Sequence, residues 1–379
     1  MERSGSITIP AGELRAALGM AAKVTERGGT IPILSSVLME ATGGELRVTG
    51  TDMERRITAL APAEGTLPPV PVPAARLGGL IAKTAAKQPV TIAASPGEVR
   101  VNAGPLSARI MTLEAEDFPS FGRRAGERWT VDAGVLRQIM ARPAHAMCTE
   151  ESRYYLGGIF LHLRQVGARP ALAGCATDGH RMFLATAPAE AGVPALAAGV
   201  IVPRSTVSTI VELLQREATG ATVLLACSDT QIAITGKGWD VVSKLVDGTF
   251  PEYERVIPPA NGDVLHVRAP AAMVDHIVTV ASINDERERP LRIEEGSGRE
   301  VTLISRNNEA GEARLTLPEE VAIWESGKSH AGFSCQARYL ADTCKTMQAG
   351  FRMHIQEGGL SPIRCEGDDG VAVLMPYRT

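Results

Sequence analysis

Asp178 and His180, two residues apart in ATDGHR (176–181), are the residue types that general acid–base or metal chemistry uses. A hydrolase would add a nucleophile within hydrogen-bond reach of the imidazole, and a metal site would add at least one more ligand. No spacing in the chain supplies either. Cys148, Cys175, Cys227, Cys335, Cys344 and Cys365 form no CxxC pair and read as core thiols of a reducing cytosol. The phosphate loop GxxxxGKS/T, a strand-borne GxGxxG, HExxH and GxSxG are all absent. Asp-Gly between strand-like runs is a hairpin-turn signal. ATDGHR therefore reads first as a structural turn or a binding loop, with catalysis the weaker alternative. The expectation is no catalytic residue, no metal and no cofactor.

Other candidate contacts involve charge. RYYLGG (153–158) sets Tyr154 and Tyr155 beside an Arg, which suits nucleic-acid backbone or base, although one of the pair could equally be a strand's buried Tyr. Helical spacing over 72–87 puts Arg76, Lys83 and Lys87 within about 40° of one another. In the opening helix Arg15, Lys23 and Arg27 share an arc opposite Leu14, Leu18 and Ala21. Arg338 and Lys345 are seven apart and aligned, and Arg137 and Arg142 add charge in the middle of the chain. Any one basic helix face is ordinarily just solvated. The same sign on corresponding helices offers a polyanion a salt-sensitive, sequence-independent attraction.

Those helices recur. WTVDAGVLRQIM (129–140) runs a short strand into Asp132, placed as an N-cap, and then into an amphipathic helix. SITIPAGELRAALGMA from Ser6 and VLHVRAPAAMVDHIVTVA from Val264 repeat the unit. Each copy leads through alternating strands to a second helix, beginning near Val72, Val202 and Ser334, and then to more strands. The pattern predicts an α+β fold of three repeats, 1–127, 128–259 and 260–379, each with two helices on antiparallel sheets. The third unit's first helix carries no Lys or Arg and has Asp275 instead.

The 379 residues are 44% hydrophobic, enough for sizeable cores, and the net charge is −4, so any nucleic-acid partner must be met by local charge distribution. No apolar run is long enough to cross a bilayer, and MERSGSITIP lacks an apolar signal segment. No membrane partner is expected, and the reading is cytoplasmic.

TIPILSSVLME (30–40), VTGTDMER (48–55), EDFPSF (116–121), SRYYLGGIF (152–160), ATDGHRM (176–182), VIVPR (200–204), SKLVDGTFPEYERVIP (243–258) and MPYR (375–378) stand in the order and spacing of one family. Over essentially its whole length the chain resembles the bacterial DNA polymerase III beta subunit, the sliding clamp. The resemblance implies a head-to-tail homodimeric ring of six similar domains, with helices lining the hole and sheets outside. It implies a nucleoid-associated processivity factor without chemistry of its own, which encircles double-stranded DNA irrespective of sequence. Its implied partners are the replicative polymerase catalytic subunit, the clamp loader, and other polymerases and repair proteins with clamp-binding motifs.

Carried over residue by residue, the resemblance implies a partner-peptide groove of Leu156, Thr177, Gly179, His180, Arg181, Met182, Pro251, Arg255 and Val256. Its C-terminal wall is Val373, Leu374, Met375, Pro376, Tyr377 and Arg378. It implies DNA-facing residues Arg15, Lys23, Arg27, Arg76, Lys83, Lys87, Arg137, Arg142, Tyr154, Tyr155, Arg338 and Lys345, and a dimer interface of Ser107, Ala108, Arg109 and Ile110 against Val280 and Ile283. Family tails often read MPMR followed by Leu, whereas Tyr377 and Thr379 stand here, and Gly28 replaces an Arg that touches DNA in some members. Two alternatives stay open: a metal enzyme or hydrolase using Asp178, His180 and a Cys, and a divergent clamp paralogue hinted at by Tyr377 and Thr379.

Overall fold

Period-two alternation reads directly into burial. In the strand Glu98–Ala103, Val99, Val101 and Ala103 face the core while Arg100 and Asn102 face out. The computed structural model describes residues 4–26, 28–122, 126–189, 196, 198–284, 289–296, 298–325, 332–356 and 358–377. Among these, antiparallel strands predominate and six α-helices lie between them: α1 (Ala11–Ala21), α2 (Ala74–Ile81), α3 (Ala133–Ala141), α4 (Arg204–Leu214), α5 (Pro270–Ala281) and α6 (Ala337–Thr346). No helix among them is long and apolar enough to cross a membrane. The α+β expectation holds.

The chain forms two compact units, one from its start to Arg137 together with Ser208–Leu245, the other from most of the remainder. The first carries a twelve-stranded sheet that begins at the edge strand Leu106–Met111 and passes through Arg55–Pro62 to Trp239–Lys244. Leu14 and Leu18 of α1 and Leu77 and Ile81 of α2 pack on Ile7, Val48, Val72 and Ile92 of that sheet. Each fully buried side chain of this kind contributes about 1.5–3 kcal/mol. The second unit carries a nine-stranded sheet, in which Arg181–Pro188 pairs with Gly370–Leu374, and a four-stranded sheet ending at the edge strand Gly311–Leu317. Compactness cuts across the expected thirds because strands of the middle third ladder onto both neighbours.

All six cysteines are buried and unpaired, as expected of core thiols. Burial alone pushes the Cys335 thiol up to about 12.

Two sequence expectations are corrected. The helix from Val72 was expected to reach Lys87, but α2 ends at Ile81, so Lys83 and Lys87 lie in the turns that follow and do not share a helix face with Arg76. Gly78 and Gly79 weaken the helix. Arg15 draws off its end, donating from one guanidinium nitrogen to the carbonyls of Ile81 at 2.9 Å and Thr84 at 2.6 Å. Val280, expected at a subunit interface, is 2% exposed, because it continues the Met273–Ile277 stripe that faces the sheet. The exposed large apolar residue of α5 is Val278, at 59%. Ile110 is likewise buried, leaving Ser107, Arg109 and Met111 as the exposed side chains of their edge strand, with Ala108 and Ile283 half-buried.

The cap placed at Asp132 is present: its Oδ1 accepts from the Val135 N–H at 2.8 Å. Asp132→Ala should lower unfolding free energy by about 1 kcal/mol in denaturant titration; no change would show that α3 is held by packing alone.

Candidate functional site

The 176–182 stretch joins Arg169–Thr177 to Arg181–Pro188 through a tight turn tied by its own side chains. Thr177 Oγ1 donates to the Arg181 carbonyl at 2.7 Å and accepts from the Gly179 N–H at 3.1 Å. Asp178 Oδ1 accepts from the N–H groups of His180 at 2.9 Å and Arg181 at 3.0 Å. Gly179 has φ of +89°, a left-handed conformation that favours glycine. Asp178 Oδ2 accepts from Arg181 Nε at 3.1 Å, so both carboxylate oxygens serve the turn. No group of three His, Cys, Asp or Glu among the described residues could hold a metal. The arrangement is that of a rigid wall.

Arg181 anchors the wall. Its side chain is 6% exposed, and its second donor reaches Asp342 on α6 at 2.7 Å. The guanidinium lies 4.5 Å from the centroid of the Tyr339 ring. Such a buried charge is stable only when its partners hold it, and a second acid strengthens that hold. His145 sits beside this group, its Nδ1–H donating to the Arg142 carbonyl at 2.9 Å and its ring edge-on to Phe183.

Next to the wall lies an apolar floor. Leu156, Met182 and Val373 belong to one packed cluster with Cys148, Cys175, Phe250 and Tyr253. Met182 and Val373 are direct cross-strand neighbours. The tail continues the ladder, with the Met375 N–H donating to the His180 carbonyl at 2.9 Å and the Tyr377 N–H to the Ser334 carbonyl at 2.7 Å. Met375 is 42% exposed and Val256 is 51% exposed, while Leu374 is buried and Pro376 and Tyr377 are half-buried. Pro251 and Arg255 are exposed beside Tyr253, and Arg255 is paired with Glu252 at 2.5 Å. Arg378 lies outside the described residues. Sequence reading missed Phe250 and Tyr253, although both sit in the FPEY motif. It also missed Asp342 and Tyr339, which only the fold brings to the turn.

The basic residues expected to face DNA are more engaged than their spacing implied. Lys23 is ion-paired with Glu212, Arg142 with Asp369, and Arg15 is committed to backbone carbonyls. Arg76, Lys83 and Lys87 are exposed, and Arg137 is half-buried. Arg338 and Lys345 are exposed and flank Asp342, each 3.7 Å from it. Arg27 lies outside the described residues. Tyr154 is 58% exposed, whereas Tyr155 packs against the apolar cluster. Their rings meet edge-on at 5.8 Å.

Comparison with known proteins places this geometry. Residues 6–122 match the N-terminal domain of the DNA polymerase III beta subunit, and residues 130–252 match its central domain. The beta sliding clamp of Caulobacter vibrioides is 35% identical over 383 residues, covering 98% of this chain and 99% of that protein. A crystal structure of the C. crescentus beta sliding clamp superposes with a TM-score of 0.90 at 31% identity, covering 99% of each chain. A sliding clamp from Bartonella birtlesii, solved bound to griselimycin, gives a TM-score of 0.91 at 27% identity, covering 99% of this chain and 100% of that one.

Burial, and after it the Arg181 charge, holds the His145 imidazole down at about 4, against an ordinary value of 6.5. It is therefore neutral in the fold. Its stabilising share is complete above pH 6.5 and is lost as the pH falls towards 4, where the unfolded chain binds the proton first. Between pH 7 and 4.5 the wild type should lose roughly 2 kcal/mol more unfolding free energy than His145→Gln in urea titrations. Equal losses would place the acid sensitivity elsewhere.

Proposed function

The chain belongs to the bacterial DNA polymerase III beta subunit family, the beta sliding clamps, and from that membership we propose that it is a non-catalytic processivity factor that encircles duplex DNA and tethers the enzymes working on it. The observation that carries this is the match to a beta sliding clamp over nearly the full length of both chains. The proposed partners are the replicative polymerase, the clamp loader, and other polymerases and repair proteins bearing clamp-binding motifs.

We read the chain as three repeats, 1–127, 128–259 and 260–379. The support is a recurring joint. Arg55–Pro62 pairs antiparallel with Trp239–Lys244, and Arg181–Pro188 pairs in the same way with Gly370–Leu374. The corresponding third pair, Gly311–Leu317 and Leu106–Met111, each have one strand neighbour among the described residues. In a head-to-tail pair of chains each free edge meets the other copy's, and the ring closes with six repeats. The interface then uses Ser107 and Arg109 of one edge, with Val278 a better candidate on α5 than Val280. Exposed Arg76, Lys83, Lys87, Arg338 and Lys345 are the proposed phosphate contacts, which position the ring without reading sequence.

The partner groove we propose is the floor of Leu156, Met182 and Val373, with Met375 and Val256 on its rim and the Asp178–Arg181 turn as its wall. An apolar concavity with few polar anchors takes a short peptide with large apolar side chains. The B. birtlesii relative was solved with griselimycin bound.

Loaded onto closed circular DNA, the protein should stay bound through a gel-filtration column and be lost once the circle is cut. Retention on linear DNA with free ends would contradict topological binding. In calorimetric titrations with a peptide carrying a Gln and two or three large apolar residues, deletion of 375–379 should cost about 2 kcal/mol or more. Sedimentation should still give twice the chain mass for the deletion variant; equal peptide affinity for both proteins would move the site elsewhere.

A further inference from the structure

The wall of the groove exists twice. Thr51, Asp52 and Arg55 stand as Thr177, Asp178 and Arg181 do, and the bonds of the turn recur, with one more from a terminal guanidinium nitrogen of Arg55 to Asp52 Oδ2 at 2.7 Å. Thr51 Oγ1 donates to the Arg55 carbonyl at 2.8 Å and accepts from the Met53 N–H at 3.0 Å. Asp52 Oδ1 accepts from the N–H groups of Glu54 at 3.0 Å and Arg55 at 2.6 Å, and Oδ2 accepts from Arg55 Nε at 3.0 Å. The remaining guanidinium nitrogen goes to Thr209, the sixth residue of α4, at 3.0 Å, as Arg181 goes to Asp342, the sixth of α6. Even the following strand is stitched alike, with Lys244 N–H to the Glu54 carbonyl at 3.0 Å in place of Met375 to His180.

The floor is what differs. Across from Val242 stands Arg56, where Met182 stands across from Val373. Two residues earlier on the pairing strand is Asp240, where the other copy has Val371. Arg56 donates to Asp240 Oδ1 at 3.1 Å and to the Phe121 carbonyl at 2.5 Å, and Phe121 packs on the small cluster of Ala226, Ala233 and Val242. Asp240 Oδ2 is held in turn by Thr235 Oγ1 at 3.0 Å. The rim is polar too: Lys244 pairs with Glu54 at 2.8 Å where the other copy presents Met375 and His180. Arg56 Nε is buried without a hydrogen-bond partner among the described residues, which is unfavourable, so stability alone does not account for this arginine.

We infer that the Arg56–Asp240 pair plugs a duplicate of the peptide groove and is the determinant that limits each chain to one apolar peptide. The inference rests on the groove reading above. The rigid wall, the two-strand floor and the helix anchor are all in place in the duplicate. Two charges occupy the volume a peptide side chain would need, and an apolar residue cannot displace a hydrogen-bonded ion pair without leaving both charges unpaired.

The test exchanges the two floors in the full-length protein and titrates the same Gln-containing apolar peptide calorimetrically. R56M/D240V should raise the stoichiometry from one to two peptides per chain, the new step no more than about 100-fold weaker than the first. The reciprocal M182R/V371D should lose at least about 100-fold in affinity while it still melts cooperatively and sediments as the wild type does. A folded R56M/D240V that still takes one peptide overturns the inference, as does an M182R/V371D that binds normally. Should R56M/D240V not fold, the reciprocal variant decides. A wild type that binds no such peptide would fell the groove reading itself, and this inference with it; failure of the exchange in a wild type that binds one peptide fells only the inference.

Discussion

A guanidinium buried beside the carboxylate of its own turn is the constraint on which the rest depends. Arg181 is satisfied only if Asp178 holds the turn and Asp342 arrives from α6. A buried charge with one partner missing is strongly destabilising, so the strand, the turn and a helix more than 150 residues downstream are fixed together. The apolar floor inherits its shape from this: Met182 follows Arg181 on the strand, and Val373 lies opposite Met182 by ladder register. A side chain that looks like a binding residue in sequence is here chiefly a positioning one.

Much of this was legible in the sequence because it is local. Asp132 caps α3 through a bond three residues long, and strand alternation marks which face is buried. ATDGHR declares a tight turn from a few adjacent residues. What failed was long-range or competitive. Helical spacing extended α2 to Lys87 because nothing in 72–87 announces that Arg15, in another helix, will take the terminal carbonyls. Spacing also made Lys23 and Arg142 look like free cations, although Glu212 and Asp369 lie beside them only after folding, whereas Asp342, one helical turn from Arg338 and Lys345, was there to be read. Val280 was misplaced for a different reason: on a helix in which most residues are apolar, composition does not tell the inner stripe from the outer one, and Val278 is the outer residue.

The twice-built turn separates scaffold from specificity. The hydrogen bonds from Thr and Asp that tie the turn recur in both copies, while the residues after it are Met182 in one and Arg56 in the other. On the proposed reading of the groove, specificity resides in two or three floor positions and not in the motif most visible in the sequence. Conversely, the Asp and His that first suggest chemistry are spent on, or carried by, the turn.

The free edges at Leu106–Met111 and Gly311–Leu317 have a consequence for the newly made chain. A strand edge with open amides and carbonyls is a template for pairing with another extended segment. The outward side chains blunt that hazard. Arg109 stands on one edge, ion-paired with Glu98 at 3.3 Å, and Glu312 and Arg314 pair with each other on the other. Like charges that meet when identical edges align repel, and a register that sets acid against base is favoured. In the proposed head-to-tail pairing these few residues favour a correctly oriented neighbour over indiscriminate strand addition.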